Sequence, residues 1–323
     1  MNIVAPTANK KEARKLISAG ANELYCGIMP AQWRNKYSNV VSPNRREVKK
    51  GNFDNWQDLA EMIAHASKQK VKVILTLNDL YAKSQYPFII AQAKKAASLG
   101  VGGFMVADLA FLDYLLSCNL GVPVNISTGA TVFNSESVAF FKQFNPEKII
   151  LPRHLSLNEI KDIVRSHPDV CFELFVLNAG CRNVDGFCTF IHGLGEFQRQ
   201  QKEEMFFKTA ACYLDYEVKL ANPKGLDSSF PAKVKSGLGL SSGFKSCAAC
   251  FLKDFKRWGV SAVKIVGRDY STEMKIKDIT FIKTLLEYLD DHPKDDREFN
   301  NYAKQLFWKT YRVKCAFRCY YNW

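Results

Sequence analysis

VKVILTLNDLYAKSQYPFIIAQAKKAASLGVGGFMVADLAFLDYLLSCNLGVPVNIST, residues 71–128, decides the fold. Three apolar runs, VKVILTLN (71–78), GGFMVA (102–107) and VPVNIST (122–128), have the length and composition of strands. Between them lie PFIIAQAKKAASLG (87–100) and DLAFLDYLLSCNLG (108–121), each with helical spacing and a terminal glycine. Strands that are apolar throughout and alternate with helices belong to a parallel sheet covered on its outer face.

The pattern extends in both directions. Towards the N-terminus lie IVAP (3–6), a helix over 10–20, ELYCG (23–27), a polar excursion over 28–53, and a helix over 54–70 with Asp54 as expected N-cap. Towards the C-terminus come a helix at 134–144, KIILP (148–152), a helix at 156–167, and VCFELFVL (170–177). A helix over 247–259 then precedes AVKIVGR (262–268), the eighth strand. Eight β-α units are the count of a closed (β/α)8 TIM-like barrel. The competing doubly wound sheet would carry Gly-x-Gly-x-x-Gly after its first strand, and this chain does not. The expected organisation is a barrel over 1–275, with a cysteine-bearing insertion (178–250) between strands 7 and 8. A C-terminal extension, 276–323, combines a helix, an acidic linker and a basic aromatic tail.

The 323 residues carry 45 Lys and Arg against 32 Asp and Glu, a net charge of +13. Such an excess favours an anionic partner: nucleic acid, or a phosphate- or carboxylate-bearing substrate. The start, MNIVAPTANK, has no charged n-region or long apolar segment, and no apolar run reaches about 18 residues. The expectation is a cytoplasmic protein without a membrane span, whose ten cysteines are thiols, metal ligands or redox groups.

Five cysteines crowd the region after strand 7: Cys181, Cys188, Cys212, Cys247 and Cys250. Strand ends and their loops form the reaction face of a barrel, so loops can gather these thiols. Their spacing is compatible with zinc, for which Cys247 and Cys250 have the knuckle separation, and equally with a four-iron four-sulfur cluster. Cys118 and Cys171 read as small packing residues, and Cys26 lies near a strand end. Cys315 and Cys319 would share a face if the tail were helical.

Several polar residues fall where a barrel mouth would be. Lys264 and Arg268, both placed on the last strand, point to one side and would form either a cationic clamp for an anion or ion pairs with Glu173. Arg153 is a further anion-binding candidate, and His154 a proton donor or acceptor. Tyr25, Asn78 and Asn125 lie in strand C-terminal halves, as substrate-binding groups or as satisfied core polars. Trp33, Arg34, Lys36, Arg45 and Arg46 read as a lid, a nucleic-acid loop or a solvated loop. In the tail, Trp308, Tyr311, Arg312, Phe317, Arg318 and Tyr320 could stack bases and hold phosphates, or pack on the barrel.

ELFVLNAGCRNVDGFC (173–188) resembles the signature of the peptidase U-32 family, the collagenase-like peptidases, with Glu173, Phe175, Ala179, Cys181, Gly186 and Cys188 in place. The opening IVAPTANKKEARKLISAGANELYCG, the segment LPRHLSLNEI (151–160) and SCAACFLKDFKRWGVSAVKIVGR (246–268) are similar to further family segments, in the right order over about 1–275. The chain departs from the family pattern at Asn178, where Gly is usual, and at Gly180, His154 and Val266. The resemblance implies a barrel-like catalytic domain. It also implies either peptidase activity or oxygen-independent hydroxylation of tRNA, ribosomal RNA or a quinone ring, with a four-iron four-sulfur cluster. Prephenate is implied as hydroxyl source for the RNA-modifying members. By that pattern Cys181, Cys188, Cys212 and one of Cys247 and Cys250 would be ligands, register favouring Cys247. His154, Glu173, Lys264 and Arg268 then form the candidate catalytic set. A homologous partner subunit is a further implication.

Three functions remain in view. An RNA hydroxylase would use the cysteines and the basic charge. A peptidase needs a nucleophile with a base or a metal-activated water. Neither HExxH nor GxSxG occurs, which leaves Cys181 with His154 or His192. A non-catalytic, cluster-carrying subunit is the third.

Overall fold

A computed structural model describes residues 1–37, 42–46, 51–178, 180–181, 183–188, 246–292, 296–313, 315 and 319–321. Eight parallel strands close into a barrel in chain order. They are β1 (Asn2–Pro6), β2 (Glu23–Cys26), β3 (Lys72–Leu77), β4 (Gly103–Val106), β5 (Val124–Ile126), β6 (Lys148–Ile150), β7 (Phe172–Leu177) and β8 (Ala262–Ile265). Pairing of β1 with β8, Val4 opposite Lys264, closes the ring. Apart from the first residues of β1 and β3, every strand residue is buried. Interior packing on one side and helices on the other account for runs that are apolar rather than alternating.

The outer layer contains α1 (Lys10–Ala19), α3 (Trp56–Lys68), α4 (Tyr86–Ser98), α5 (Leu109–Ser117), α6 (Ser135–Lys142), α7 (Leu157–Ser166), α8 (Leu252–Trp258) and α9 (Thr272–Asp291). The polar side chains at their starts set the boundaries. Asn9, Asp108, Asn134 and Ser271 each accept a backbone N–H three residues on, and Ser156 with Glu159 forms a capping box. The cap of α3 is Asn55, whose Oδ1 accepts from Asp58 N at 2.8 Å, rather than Asp54. Helix α9 packs on α1 and β1, and α10 (Asp296–Tyr311) lies against α9 and the turn at Ala249–Phe251. None of the described helices is long and apolar enough to cross a membrane.

The structure corrects the sequence reading in several places. The eighth strand ends at Ile265, because Gly267 turns the chain at φ +119°. The excursion over 28–53 is not simply solvated. It contains α2 (Ala31–Tyr37), a bridge between Ile28 and Phe53, and a fully buried Trp33. Residues 247–251 are not α-helical: Cys247 bridges to Leu177, and one 3-10 turn leads into α8. Cys171 is exposed, since it precedes β7 instead of lying within it. Helix α10 stops at Tyr311, so Cys315 and Cys319 do not share a helix face.

Candidate active site at the barrel mouth

Beneath the mouth, four strands contribute charges to a closed polar layer. Glu173 (β7) accepts from Lys264 (β8) at 2.6 Å and pairs with Lys148 (β6) at 2.7 Å. Lys148 also pairs with Glu23 (β2) at 2.7 Å, and Asn2 donates to Glu23 at 3.1 Å. Two carboxylates thus meet two ammonium groups. Burial alone would raise the Glu173 pKa, but Lys148 and Lys264 hold it down at about 2. Burial lowers Lys264, whose attraction to Glu173 is shared with Lys148.

Above this layer is a pocket open to solvent, lined by residues of the strand ends and their loops. Its wall carries five cationic side chains, Arg45, Arg46, Arg153, Lys264 and Arg268, and one carboxylate, Asp185. Lys264 therefore belongs to both levels: it pairs with Glu173, lines the pocket, and lies 4.0 Å from the centre of the Tyr25 ring. The Tyr25 hydroxyl donates to Ile265 O at 3.0 Å, which fixes that ring.

Arg268 is the distinctive group. It is 4 % exposed, and its guanidinium donates to neutral oxygens: Asn44 Oδ1 at 3.1 Å, Asn44 O at 2.8 Å and Thr76 Oγ1 at 3.1 Å. Its Nε is buried without an acceptor among the described residues, where no carboxylate forms an ion pair with it. Burial, followed by the nearby Arg46, pulls its pKa down to about 9, which leaves it charged at neutral pH. The chain approaches it closely at Gly27, where a Cβ would collide with Asn52 Oδ1, Arg268 Nη1 and Asn44 Nδ2. The Tyr81 hydroxyl donates to Pro43 O and holds the 42–46 loop over the mouth.

Arg153 lies 4.5 Å from the centre of the Phe175 ring and pairs with Asp185 at 2.9 Å. Asp185 also accepts from Thr128 Oγ1 at 3.2 Å, and its carbonyl from Arg45 at 2.6 Å. Burial would raise Asp185, but Arg153 holds it below the ordinary carboxylate range. These bonds seat the turn at 183–188 on the rim, next to the loop after β5. Three side chains around this rim are apolar and exposed: Leu80 after β3 (62 %), Leu109 after β4 (43 %) and Phe187 (74 %).

Of the expected site residues, Tyr25, Asn78, Arg153, Lys264 and Arg268 line the pocket. Glu173 lies below it, fully buried. His154 is on the rim, near the Phe133 ring and within electrostatic reach of Asp185. Asn125 does not line the pocket; it is fully buried and donates to Phe104 O at 3.3 Å, while Ser127 and Thr128 further along form the wall. Cys26 is buried too, its thiol pushed up to about 12 by desolvation. In the tail, Tyr311 donates to Asp278 at 2.7 Å and Tyr320 stacks on Phe175, so both pack. Trp308 is exposed beside Arg312, and Phe317, Arg318 and His192 lie outside the described residues. Sequence reading missed Asn44, Thr76 and Asp185, whose roles come from partners distant in the chain. Asn178, where the resemblance led to an expectation of Gly, adopts φ +69°, and its amide donates to Asp278 at 2.7 Å and Val266 O at 3.1 Å.

The expected ligand thiols divide. Cys181 lies within electrostatic reach of Arg153, and Cys188 closes the same rim turn. Cys212 lies outside the described residues, and Cys247 sits with a different group of cysteines. Among the described residues, no three His, Cys, Asp or Glu side chains form a ready metal cage. The expected four-sulfur set is not assembled within them.

A family model, peptidase family U32, matches residues 8–320. The chain belongs to peptidase family U32. Among its curated relatives, "tRNA hydroxylation protein P" of Helicobacter pylori strain J99 is 24% identical over 69% of this chain and 49% of that protein. The protein of the same name from Escherichia coli K12 is 26% identical over 67% of this chain and 44% of its own length. A "Collagenase" of Porphyromonas gingivalis is 24% identical over 58% of this chain and 44% of that one. The chain spans about half the length of these relatives. A solved structure, the U32 peptidase Mk0906, aligns over 55% of this chain and 70% of its own at 15% identity and a TM-score of 0.43.

Proposed function

We propose that this U32 protein is an RNA-directed hydroxylase, acting on a tRNA or ribosomal RNA base, that binds a small carboxylate co-substrate in its barrel mouth. The observation that carries this reading is Arg268: a buried guanidinium held by neutral oxygens, facing a pocket with five cations and one carboxylate. Burying a charge without an ion-pair partner is unfavourable, and among the described residues Arg268 has only the more distant attraction of Asp269, so an incoming carboxylate would gain a direct pairing. Arg268 and Lys264 would hold the anion, with Tyr25 and Asn78 beside it. Leu80, Leu109 and Phe187 suit an unstacked base presented to the rim, and the +13 charge suits its phosphates. The names of the curated relatives support the RNA substrate.

The redox centre proposed for this reaction is a four-iron four-sulfur cluster, with Cys181, Cys188 and Cys212 among its sulfur donors. Zinc in its place would leave the oxidation without an electron carrier. Nucleoside profiling of RNA from a deletion strain, complemented with wild type or Arg268→Gln, tests the function. A hydroxylated nucleoside should disappear on deletion and return only with wild type. An unchanged RNA profile would sink the proposal. Iron and sulfide in anaerobically purified protein test the centre.

A further inference from the structure

The tail after α10 returns to the barrel and meets it at a cysteine. Cys319 forms an isolated parallel bridge with Cys247, and Tyr320 N donates to Cys247 O at 3.1 Å. Cys247 is bridged in turn to Leu177 at the end of β7. Three segments far apart in sequence converge here, and two of them bring paired cysteines. Cys247 and Cys250 have two residues between them; Cys315 and Cys319 have three. Both separations fall in the knuckle range of tetrahedral thiolate sites. Cys315 lies within electrostatic reach of Cys319, and both lie within electrostatic reach of Cys247 and Cys250. Lys304 of α10 lies within electrostatic reach of Cys250 and Cys319, and Lys253 of Cys250, so cations are at hand to offset the charge of clustered thiolates.

We infer that Cys247, Cys250, Cys315 and Cys319 form a four-thiolate site for a thiophilic metal, which fastens the C-terminal tail to the end of β7. Among the described residues, the four thiols do not form a ready metal cage. Binding would release their protons to solvent and pull the sulfurs onto the metal. Zinc and an iron–sulfur cluster share this ligand chemistry, and the spacing of the two pairs is that of zinc knuckles. The site would also steady one wall of the pocket. Tyr320 stacks on Phe175, and the Tyr321 hydroxyl donates to Phe175 O at 3.1 Å, directly behind the ring that carries Arg153. The inference takes both Cys247 and Cys250, the two candidates for the fourth mouth ligand, into this site, and it does not depend on the hydroxylase reading.

The test is differential alkylation of the intact protein, purified anaerobically, with peptide mapping before and after chelation. Cys247, Cys250, Cys315 and Cys319 should resist the reagent together and become reactive together when the metal is removed. Zinc, iron and sulfide per chain are then measured in wild type, Cys315→Ser/Cys319→Ser and Cys181→Ser/Cys188→Ser. The first double variant should lose about one metal centre that the second keeps. Loss of zinc assigns a mononuclear site, and loss of iron with sulfide assigns a cluster to the same thiols. If the four cysteines alkylate freely in untreated protein, or map as a disulfide, the site does not exist. That result stands whether or not the variants fold.

Discussion

Two sets of buried charges occupy the barrel interior, and they are handled in opposite ways. In the lower layer, Glu23 and Glu173 meet Lys148 and Lys264, every partner lying on a strand of the same sheet. In the upper layer, Arg268 lies beyond the end of β8 and is cradled by an amide, a hydroxyl and a carbonyl. The difference teaches where to look for ligand binding. A charge whose partner is built into the fold supports the fold. A charge given only neutral hydrogen bonds is held in place and left to attract something from outside.

The sharpest way to break this contrast is to remove the compensating charge below. Glu173→Gln leaves Lys148 and Lys264 facing each other and should destabilise the protein by about 3–5 kcal/mol in denaturant unfolding. A loss under about 1 kcal/mol, in the range of an exposed pair, would remove the lower layer as a structural device. Arg268→Gln comes next and should separate binding from folding. Carboxylate affinity, by calorimetry with a small dicarboxylate, should fall by about 2–5 kcal/mol. Thermal stability should hold or rise, because an uncompensated buried cation is gone. Reduced stability with unchanged affinity would move Arg268 to the structural side. Gly27→Ala should act at the same place indirectly. Its methyl collides with Asn44, Asn52 and the Arg268 guanidinium, so stability falls by about 1–3 kcal/mol and anion binding weakens with it.

The smallest effect concerns pH. The Glu173 pKa is depressed, so its contribution is full above the ordinary carboxylate value of 4.5 and is lost as pH falls towards about 2. Wild type should lose stability across that window, and Glu173→Gln should show a shallower dependence. Parallel acid profiles for the two proteins would contradict the pairing.

The barrel was legible because its signal is local. Each β-α unit carries its own apolar run, cap and terminal glycine, and eight repetitions leave little choice of topology. The candidate site was legible in part. Tyr25, Asn78, Arg153, Lys264 and Arg268 stand at or just beyond strand ends, and position in a barrel sends such residues to the mouth. Asn125 misled for the same reason: it occupies the middle of a three-residue strand and is turned into the core. Asn44 and Asp185 gave no signal, because each acquires its role from a partner 224 or 32 residues away. The polar excursion over 28–53 read as loop, since the residues that bury it, such as Tyr81 holding Pro43, belong to other units.

The sequence by itself determined the number and order of the strands and the excess of positive charge, because periodicity and composition are properties of contiguous residues. Only the tertiary structure decided which charges cancel and which cysteines meet. Lys264 found its carboxylate on β7, Arg268 found no ion-pair partner among the described residues, and Cys247 was joined by Cys319 of the tail. Pairing of buried charges and thiols depends on distances across the barrel. Closure of the ring sets those distances, and no local stretch of chain contains them.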